Sequence, residues 1–183
     1  MGEEFGAWLT GITKVLDRDG VSDVPCGSCT ACCRASQFVH VEPDELETLA
    51  RIPRALLFPA PGAPIDHRVM GYDERGHCPM LIDDRCSIYE VRPRACRAYD
   101  CRVFSATHVF PEETEKAEVA SRARGWTFTY AAEADRQCHR RLVAVAGSIR
   151  DEAESVPGLT ATHIAIAAIV NLVASDSEPG RDS

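Results

Sequence analysis

The chain has 183 residues, 45% of them apolar, which suits one ordinary globular domain with its own core, and a formal net charge of −8. The acidic charge argues against a nucleic-acid partner, because phosphate backbones are bound by clustered lysine and arginine. No basic, apolar leader is recognisable, and the longest apolar stretch, residues 160–174, is shorter than the ~20 residues that span a bilayer. We therefore predict a cytoplasmic protein with no membrane partner.

Apolar residues at helical spacing predict a first helix over residues 4–18. A loop rich in proline, glycine, serine and cysteine follows over residues 25–33. Residues 37–41 are then predicted to form a short strand, and Pro43 to occupy the first turn of the next helix. Four prolines between residues 53 and 64 predict irregular structure there.

A β-hairpin is predicted over residues 78–89, because two apolar segments flank the Asp83–Asp84 pair, which is suited to a tight turn. Pro93 then begins a predicted short helix, in which proline is tolerated because the first turn has no intrahelical acceptor for its missing N–H. Both elements carry cysteines, so their positions matter for the function.

Two helices are predicted in the C-terminal third, over residues 134–149, whose apolar residues recur at steps of three and four, and over residues 161–174. The predicted fold is mainly α with a small β-hairpin, in which flanking helices pack around an irregular cysteine-rich centre. We predict one domain over residues 1–175, with its motif core at 26–101, and a disordered polar tail at 176–183.

Nine cysteines are many for a chain that lacks a recognisable export signal. In a reducing compartment such cysteines are more often metal ligands than disulfides, and an odd number cannot all form pairs. Cys26, Cys29 and Cys32 recur at steps of three, as in the run that holds three corners of a cubane iron–sulfur cluster, and Cys33 adjoins them. This run is the strongest functional signal in the sequence.

Four further cysteines follow, two at the ends of the predicted hairpin and two around the predicted short helix. Eight thiols permit either one four-ligand centre or two centres that use all eight. The side chains of Cys32 and Cys33 are expected to diverge, which favours two centres or a non-ligand role for one of them. The candidate metal ligands are Cys26, Cys29, Cys32, Cys33, Cys78, Cys86, Cys96 and Cys101.

The ninth cysteine, Cys138, lies on the apolar face of the predicted 134–149 helix, so we assign it to core packing. Its neighbour His139 is predicted to face solvent. His77, which precedes Cys78, is an alternative metal ligand that we disfavour.

The strings CGSCTACCR, CPML and CSIYEVRPRACR together resemble the YkgJ-like CxxCxxCC family, a zinc- or iron-chelating domain. The resemblance covers residues 26–101 and implies that the same cysteines are ligands, with Cys101 at a looser position. Through relatives that resemble flagellin lysine methylases, the family resemblance further implies an iron–sulfur cluster and a protein-modifying activity. The chain has no recognisable S-adenosylmethionine pocket, so that activity is not transferred.

Arginines are interleaved with the last candidate ligands. Four thiolates around Zn²⁺ or a [4Fe–4S]²⁺ core leave a net charge of about −2, which nearby donors should compensate. Arg92 and Arg97 are the predicted donors; the alternative is that they form a solvated face with acidic residues.

The sequence thus predicts a metal-binding protein whose clustered thiolates hold an iron–sulfur cluster, [4Fe–4S] by preference, or Zn²⁺, in a redox or protein-modification role. One alternative is a structural zinc module that serves as a protein-interaction domain. Another is a metal storage or delivery protein with exchangeable thiolates. No catalytic residue or substrate follows from the sequence.

Overall fold

A computed structural model describes residues 2–22, 24–153, 156 and 158–176 of the chain. About half of the chain is helical, and the strands form small sheets. In chain order, the α-helices of the described part are α1 (Phe5–Leu16), α2 (Leu46–Arg51), α3 (Arg94–Ala98), α4 (Arg102–Thr107), α5 (Ala117–Arg124), α6 (Glu133–Ala153) and α7 (Ala161–Asp176). The strands are β1 (Gly2–Glu4), β2 (Val39–Val41), β3 (Leu57–Pro59), β4 (Arg68–Met70), β5 (Leu81–Ile82), β6 (Arg85–Cys86) and β7 (Thr127–Thr129).

The chain divides into two compact units. The helical unit comprises Met1–Gly20, Asp100–Glu112 and Ala120–Ser183, and the cysteine unit comprises Val21–Tyr99 and Glu113–Val119. The single domain predicted over residues 1–175 stays a prediction. The predicted disordered tail lies outside the described residues, apart from the last residue of α7.

In the helical unit, helix α4 packs against α6 and α7, and every residue of α4 is buried. Phe104, Leu142 and Ile169 are almost fully shielded from solvent and form the centre of this core. Burial of such side chains stabilises the fold by roughly 1.5–3 kcal/mol each. Strand β1 leads directly into α1 and pairs in parallel with β7, so the start of the chain is tied to this core.

Asp100 is a buried carboxylate in the helical unit. It accepts hydrogen bonds from Arg102 (Nη2 to Oδ2, 2.8 Å) and from the indole of Trp8 (Nε1 to Oδ2, 3.2 Å). Arg102 also donates to Glu3 (Nη1 to Oε2, 2.7 Å). The buried charges are thus paired and hydrogen-bonded, as charges away from water must be.

His139 does not face solvent as predicted; only 7% of its surface is exposed. Its ring stacks on Phe5 with centroids 4.4 Å apart. Nε2 lies 2.9 Å from the carbonyl oxygen of Ala106 and Nδ1 lies 2.8 Å from the hydroxyl of Tyr130. Neutral imidazole satisfies both contacts if Nε2–H donates to the carbonyl and Nδ1 accepts from the tyrosine. The apolar face of α6 is therefore wider than the spacing of its aliphatic residues predicts.

We expect His139 to make stability pH-dependent. Burial lowers the pKa of His139, and the nearby charge of His108 lowers it further, against a hydrogen bond to Ala106 that raises it. Because the folded pKa lies below the ~6.5 of an unfolded histidine, the unfolded state binds more protons below that pH. The free energy of unfolding should therefore fall between about pH 7 and pH 5.5, and fall less in His139→Gln. Urea unfolding at several pH values tests this, and equal slopes would contradict it.

The cysteine unit is built on a three-stranded antiparallel sheet in the order β2-β4-β3. Val39 and Leu57 both face Met70 across the sheet. Met70 and Val41 are buried in a small core, which they share with Ile52, Met80 and Ile88. Because strands alternate their faces, one side of this sheet covers the core.

Two local predictions for this unit are wrong. Residues 53–64 are not wholly irregular, since a 3₁₀ turn at Arg54–Leu56 leads into β3. Pro59 is accommodated because β3 is an edge strand. Helix α2 begins at Leu46, so Pro43 lies before it and not in its first turn.

The predicted hairpin is confirmed as β5 and β6, with Leu81 opposite Cys86. Asp83 and Asp84 both have positive φ, 49° and 57°, as a two-residue hairpin turn requires. The prediction of a mainly α fold with one hairpin is incomplete, since a three-stranded sheet and a parallel strand pair are also present. Among the described residues, no helix is both long and apolar enough to cross a membrane.

Candidate metal centre

The cysteine-rich loop begins with a tight turn. The amide of Cys29 donates to the carbonyl of Cys26 (3.0 Å), and Gly27 has a positive φ of 57°, which glycine adopts without strain. Both cysteines are half-buried. The amide of Ser22, just before this loop, donates to the carbonyl of Arg97 (2.8 Å), so the start of the loop is held at the end of α3.

Cys32 and Cys33 lie on a 3₁₀ turn, Ala31–Arg34. The neighbouring thiol of Cys33 raises the pKa of Cys32, as do burial and the charge of Cys33. The expectation that these two side chains diverge stays a prediction. The carbonyl of Cys33 accepts from the amide of Cys78 (2.7 Å), which joins the first cysteine run to the segment that enters the hairpin.

Cys78 and Cys86 are brought together by the hairpin. The carbonyl of Cys78 accepts from the amide of Leu81 (2.9 Å), and Cys86 lies opposite Leu81 in the strand pair. Both cysteines pack on the small core of this unit. Burial raises the pKa of Cys78, and the charges of Cys86 and Cys32 raise it further.

Cys96 completes this group from helix α3. Its amide donates to the carbonyl of Pro93 (2.9 Å), which begins the helix as predicted. Burial raises the pKa of Cys96 to about 12, with further contributions from the charges of Cys32, Cys78 and Cys86. Like charges affect a pKa in this way only over short distances. These four sulfurs therefore share one neighbourhood.

Five of the eight candidate ligands thus gather in the cysteine unit from three separate segments of chain. They are Cys32, Cys33, Cys78, Cys86 and Cys96. Cys26 and Cys29 lie in the loop that leads into this cluster. Cys101 and Cys138 belong to the helical unit, where Cys101 is buried at the start of α4. The predicted ligand role of Cys101 stays a prediction.

Arg92 lies close enough to Cys96 for its charge to lower the pKa of that thiol. Its guanidinium stacks over the ring of Tyr89 at 4.0 Å and donates to the Tyr89 carbonyl (2.9 Å). Arg97 lies 3.9 Å from the carboxylate of Glu45, and its Nε is buried without a hydrogen-bond partner among the described residues. Arg92 therefore lies beside the Cys96 thiol, and the predicted role of Arg92 and Arg97 toward a metal stays a prediction.

Glu45 is a buried residue of the site region that the sequence did not reveal. Its carboxylate accepts hydrogen bonds from the backbone amides of Arg94 and Glu42, the latter at 2.8 Å. The guanidinium of Arg94 binds Glu42 and Asp44, the latter at 3.0 Å. Helix α3, which carries Cys96, is thus anchored by charged groups from the segment before α2.

All nine cysteines lie in the described part of the chain, and none of them forms a disulfide. A family model described as "Putative zinc- or iron-chelating domain" matches residues 25–122, more than half of the chain. The chain belongs to the CxxCxxCC family. A search of curated proteins and a search of solved structures found no significant match.

The CxxCxxCC match contains every candidate ligand and leaves Cys138 outside. The donors fit a thiophilic metal, because the gathered side chains are sulfur donors, partly buried, with an arginine beside them. Among the described residues, however, no three Cys, His, Asp or Glu side chains are already arranged to hold an ion.

Proposed function

We propose that the cysteine unit binds an iron–sulfur cluster through thiolates of the gathered cysteines, and that Zn²⁺ is the alternative occupant. The observation that carries this proposal is the convergence of Cys32, Cys78, Cys86 and Cys96 from distant parts of the sequence. The charges of the other sulfurs disfavour ionisation of each thiol, and a bound cation offsets that cost. Membership of a family described as zinc- or iron-chelating supports the same conclusion.

Iron–sulfur chemistry is supported by the number and spacing of the thiols. The run of Cys26, Cys29 and Cys32 has the spacing that holds three corners of a cubane cluster. Five gathered thiols exceed the four that one zinc ion uses. Such a cluster would supply one-electron redox chemistry when bound, and Arg92 would offset part of the negative charge. A cytoplasmic location belongs to this proposal, because nine cysteines without a disulfide suit a reducing compartment.

Anaerobic purification followed by elemental analysis and visible spectroscopy tests the proposal. We expect a brown protein with broad visible absorbance that contains iron and acid-labile sulfide. A colourless protein that contains zinc alone would replace the iron–sulfur proposal with the zinc alternative. A protein that contains neither metal and takes up neither in reconstitution would contradict both.

A structural zinc site is favoured by one feature of the cysteine unit, its small core. The core cluster of this unit has five buried apolar residues, and its strands are two or three residues long. Units with so little core commonly depend on a metal for stability. A chelator should then raise hydrogen exchange throughout β2, β3 and β4, while exchange in α6 stays unchanged. Unchanged exchange in these strands after complete metal removal would rule out a structural role.

Replacement of Glu45 by glutamine should weaken metal binding without removing a candidate ligand. The change removes the charge that holds the N-terminal end of α3 and places an NH₂ group against one of two backbone donors. Residues that orient ligands from outside typically contribute 10–100-fold to metal affinity, and we expect a loss of about this size. Competition with a chromophoric zinc chelator measures it. Glu47→Gln, at an exposed position on α2, is the matched control. Equal affinities of the two variants would contradict a positioning role.

A further inference from the structure

Tyr130 and His139 form a hydrogen-bonded pair in the helical unit, and neither is a candidate metal ligand. The phenol oxygen of Tyr130 lies 2.8 Å from Nδ1 of His139, and Nε2 of His139 lies 2.9 Å from the carbonyl oxygen of Ala106. A hydroxyl becomes an effective nucleophile when an adjacent base accepts its proton, and imidazole is the commonest base of this kind. A hydroxyl, a base and a group that orients the base are therefore aligned in this unit.

The fold holds His139 in the tautomer that a base requires. Helix α4 ends at Thr107, and the last carbonyls of a helix have no intrahelical donor, so the carbonyl of Ala106 is available to accept from Nε2–H. Nδ1 is then the nitrogen that accepts from Tyr130. Stacking on Phe5 holds the ring in place, and burial keeps the pKa of His139 below its ordinary value. The base is therefore neutral at pH 7.

Tyr130 differs from its partner in exposure. It follows β7 and is half-buried, whereas His139 is buried. The guanidinium of Arg136 lies over the phenol ring, 4.6 Å from the ring centroid, and also forms an ion pair with Glu133. A positive charge over the ring favours the negative charge that develops on the phenol oxygen as it attacks. The pair thus combines a buried base with a nucleophile that is partly open to solvent and lies beside a cation.

The charges near Tyr130 decide which kind of group suits it. The amide of Ala131 donates to the carboxylate of Glu4, and the amide of Ala132 donates to Asp135 (2.9 Å). These carboxylates are bound to the two residues that follow the tyrosine, so they disfavour a phosphoryl group, which brings about two negative charges. A neutral acyl group adds no charge and is compatible with them.

We propose that Tyr130 is an acylation site, with His139 as its general base and an activated acyl donor, such as a thioester or an aryl ester, as its substrate. The phenol oxygen bonds to the carbonyl carbon of the donor, and the bond from that carbon to the leaving sulfur or oxygen breaks. The phenol proton passes through Nδ1 of His139 to the leaving group. The donor must be activated, because its leaving group has to be less basic than a phenolate, whose conjugate acid has an ordinary pKa of ~10. The reaction needs no oxidant or reductant.

Acetylation of the full-length chain by para-nitrophenyl acetate tests the proposal without any substitution. Acetylated tyrosines are located and their rates are measured by peptide mass spectrometry, so acetylation of cysteines in the same sample does not enter the comparison. Tyr89 is the matched control, because it is more exposed (52%) and has Arg92 over its ring at 4.0 Å. Its hydroxyl, unlike that of Tyr130, has no histidine partner in the described part of the chain.

We expect Tyr130 to be acetylated at least about tenfold faster than Tyr89, because a general base contributes about 10²–10⁴-fold and half-burial offsets part of that gain. Equal or slower acetylation of Tyr130 would overturn the proposal.

Replacement of His139 by glutamine tests the role of the base. We expect acetylation of Tyr130 to fall at least about tenfold in His139→Gln and to stay unchanged in His163→Gln, at an exposed position on α7. Tryptophan emission establishes first that the helical unit of each variant is folded. Unchanged acetylation of Tyr130 in a folded His139→Gln would contradict the role of the base. If this variant does not fold, the comparison with Tyr89 in the native chain decides the proposal.

Discussion

Replacement of Cys96 by serine should nearly abolish metal binding. The charges of Cys32, Cys78 and Cys86 all raise the pKa of Cys96, so Cys96 lies within the proposed centre. A serine hydroxyl is a poor replacement for a thiolate as a ligand of zinc or of an iron–sulfur cluster. We expect an affinity loss beyond the 10–100-fold that is typical of residues outside the ligand shell, and therefore more than about 100-fold. Elemental analysis of the purified variant, with chelator competition for residual zinc, measures the effect.

Cys138→Ser is the matched control for this experiment. Cys138 is half-buried on α6 in the helical unit and lies outside the family match. The control should keep its full metal content. Cys101→Ser can be compared in parallel, because it tests the predicted eighth ligand. Full metal content in Cys96→Ser would show that the gathered sulfurs are not the binding site.

Asp100→Asn should cause the largest loss of fold stability of any variant considered. The substitution neutralises a buried carboxylate and leaves the positive charge of Arg102 with less compensation. Breaking a buried ion pair from one side typically costs about 3–5 kcal/mol, because an unpaired charge stays in the interior. Such a loss is a large part of the stability of an ordinary domain.

Urea unfolding followed by tryptophan fluorescence measures this effect. Both tryptophans of the chain, Trp8 and Trp126, belong to the helical unit, so their emission reports on the part that contains Asp100. Asp151→Asn, at an exposed position on α6, should leave the midpoint almost unchanged. A midpoint for Asp100→Asn equal to that of the control would contradict the structural role of the buried pair.

Elements with strong local signals could be predicted from the sequence. Helix α1 follows from apolar spacing, the hairpin from the Asp83–Asp84 pair, and α3 from Pro93. The parallel pairing of β1 with β7 could not be predicted, because Gly2 and Thr127 are distant in sequence and each strand has three residues. Strand β3 was not predicted, because Pro59 argues against a strand, although an edge strand tolerates proline.

The sequence predicted the thiol donors of the candidate site, but it predicted their arrangement in space less well. The cysteine motifs predicted a zinc- or iron-chelating domain, and the family match confirms that general prediction, whereas the set of ligands stays a prediction. Glu45 was missed because its partner Arg94 is 49 residues away. An acidic residue at the start of a helix does not reveal in the sequence that it is buried.

X-ray absorption spectroscopy at the metal edge of the purified protein tests the central claim most directly, because it reports which atoms surround the ion. The account predicts a first shell composed of sulfur, at about 2.3 Å if the metal is zinc. The same shell should be present in Cys138→Ser and lost in Cys96→Ser. A first shell dominated by oxygen or nitrogen would contradict the account.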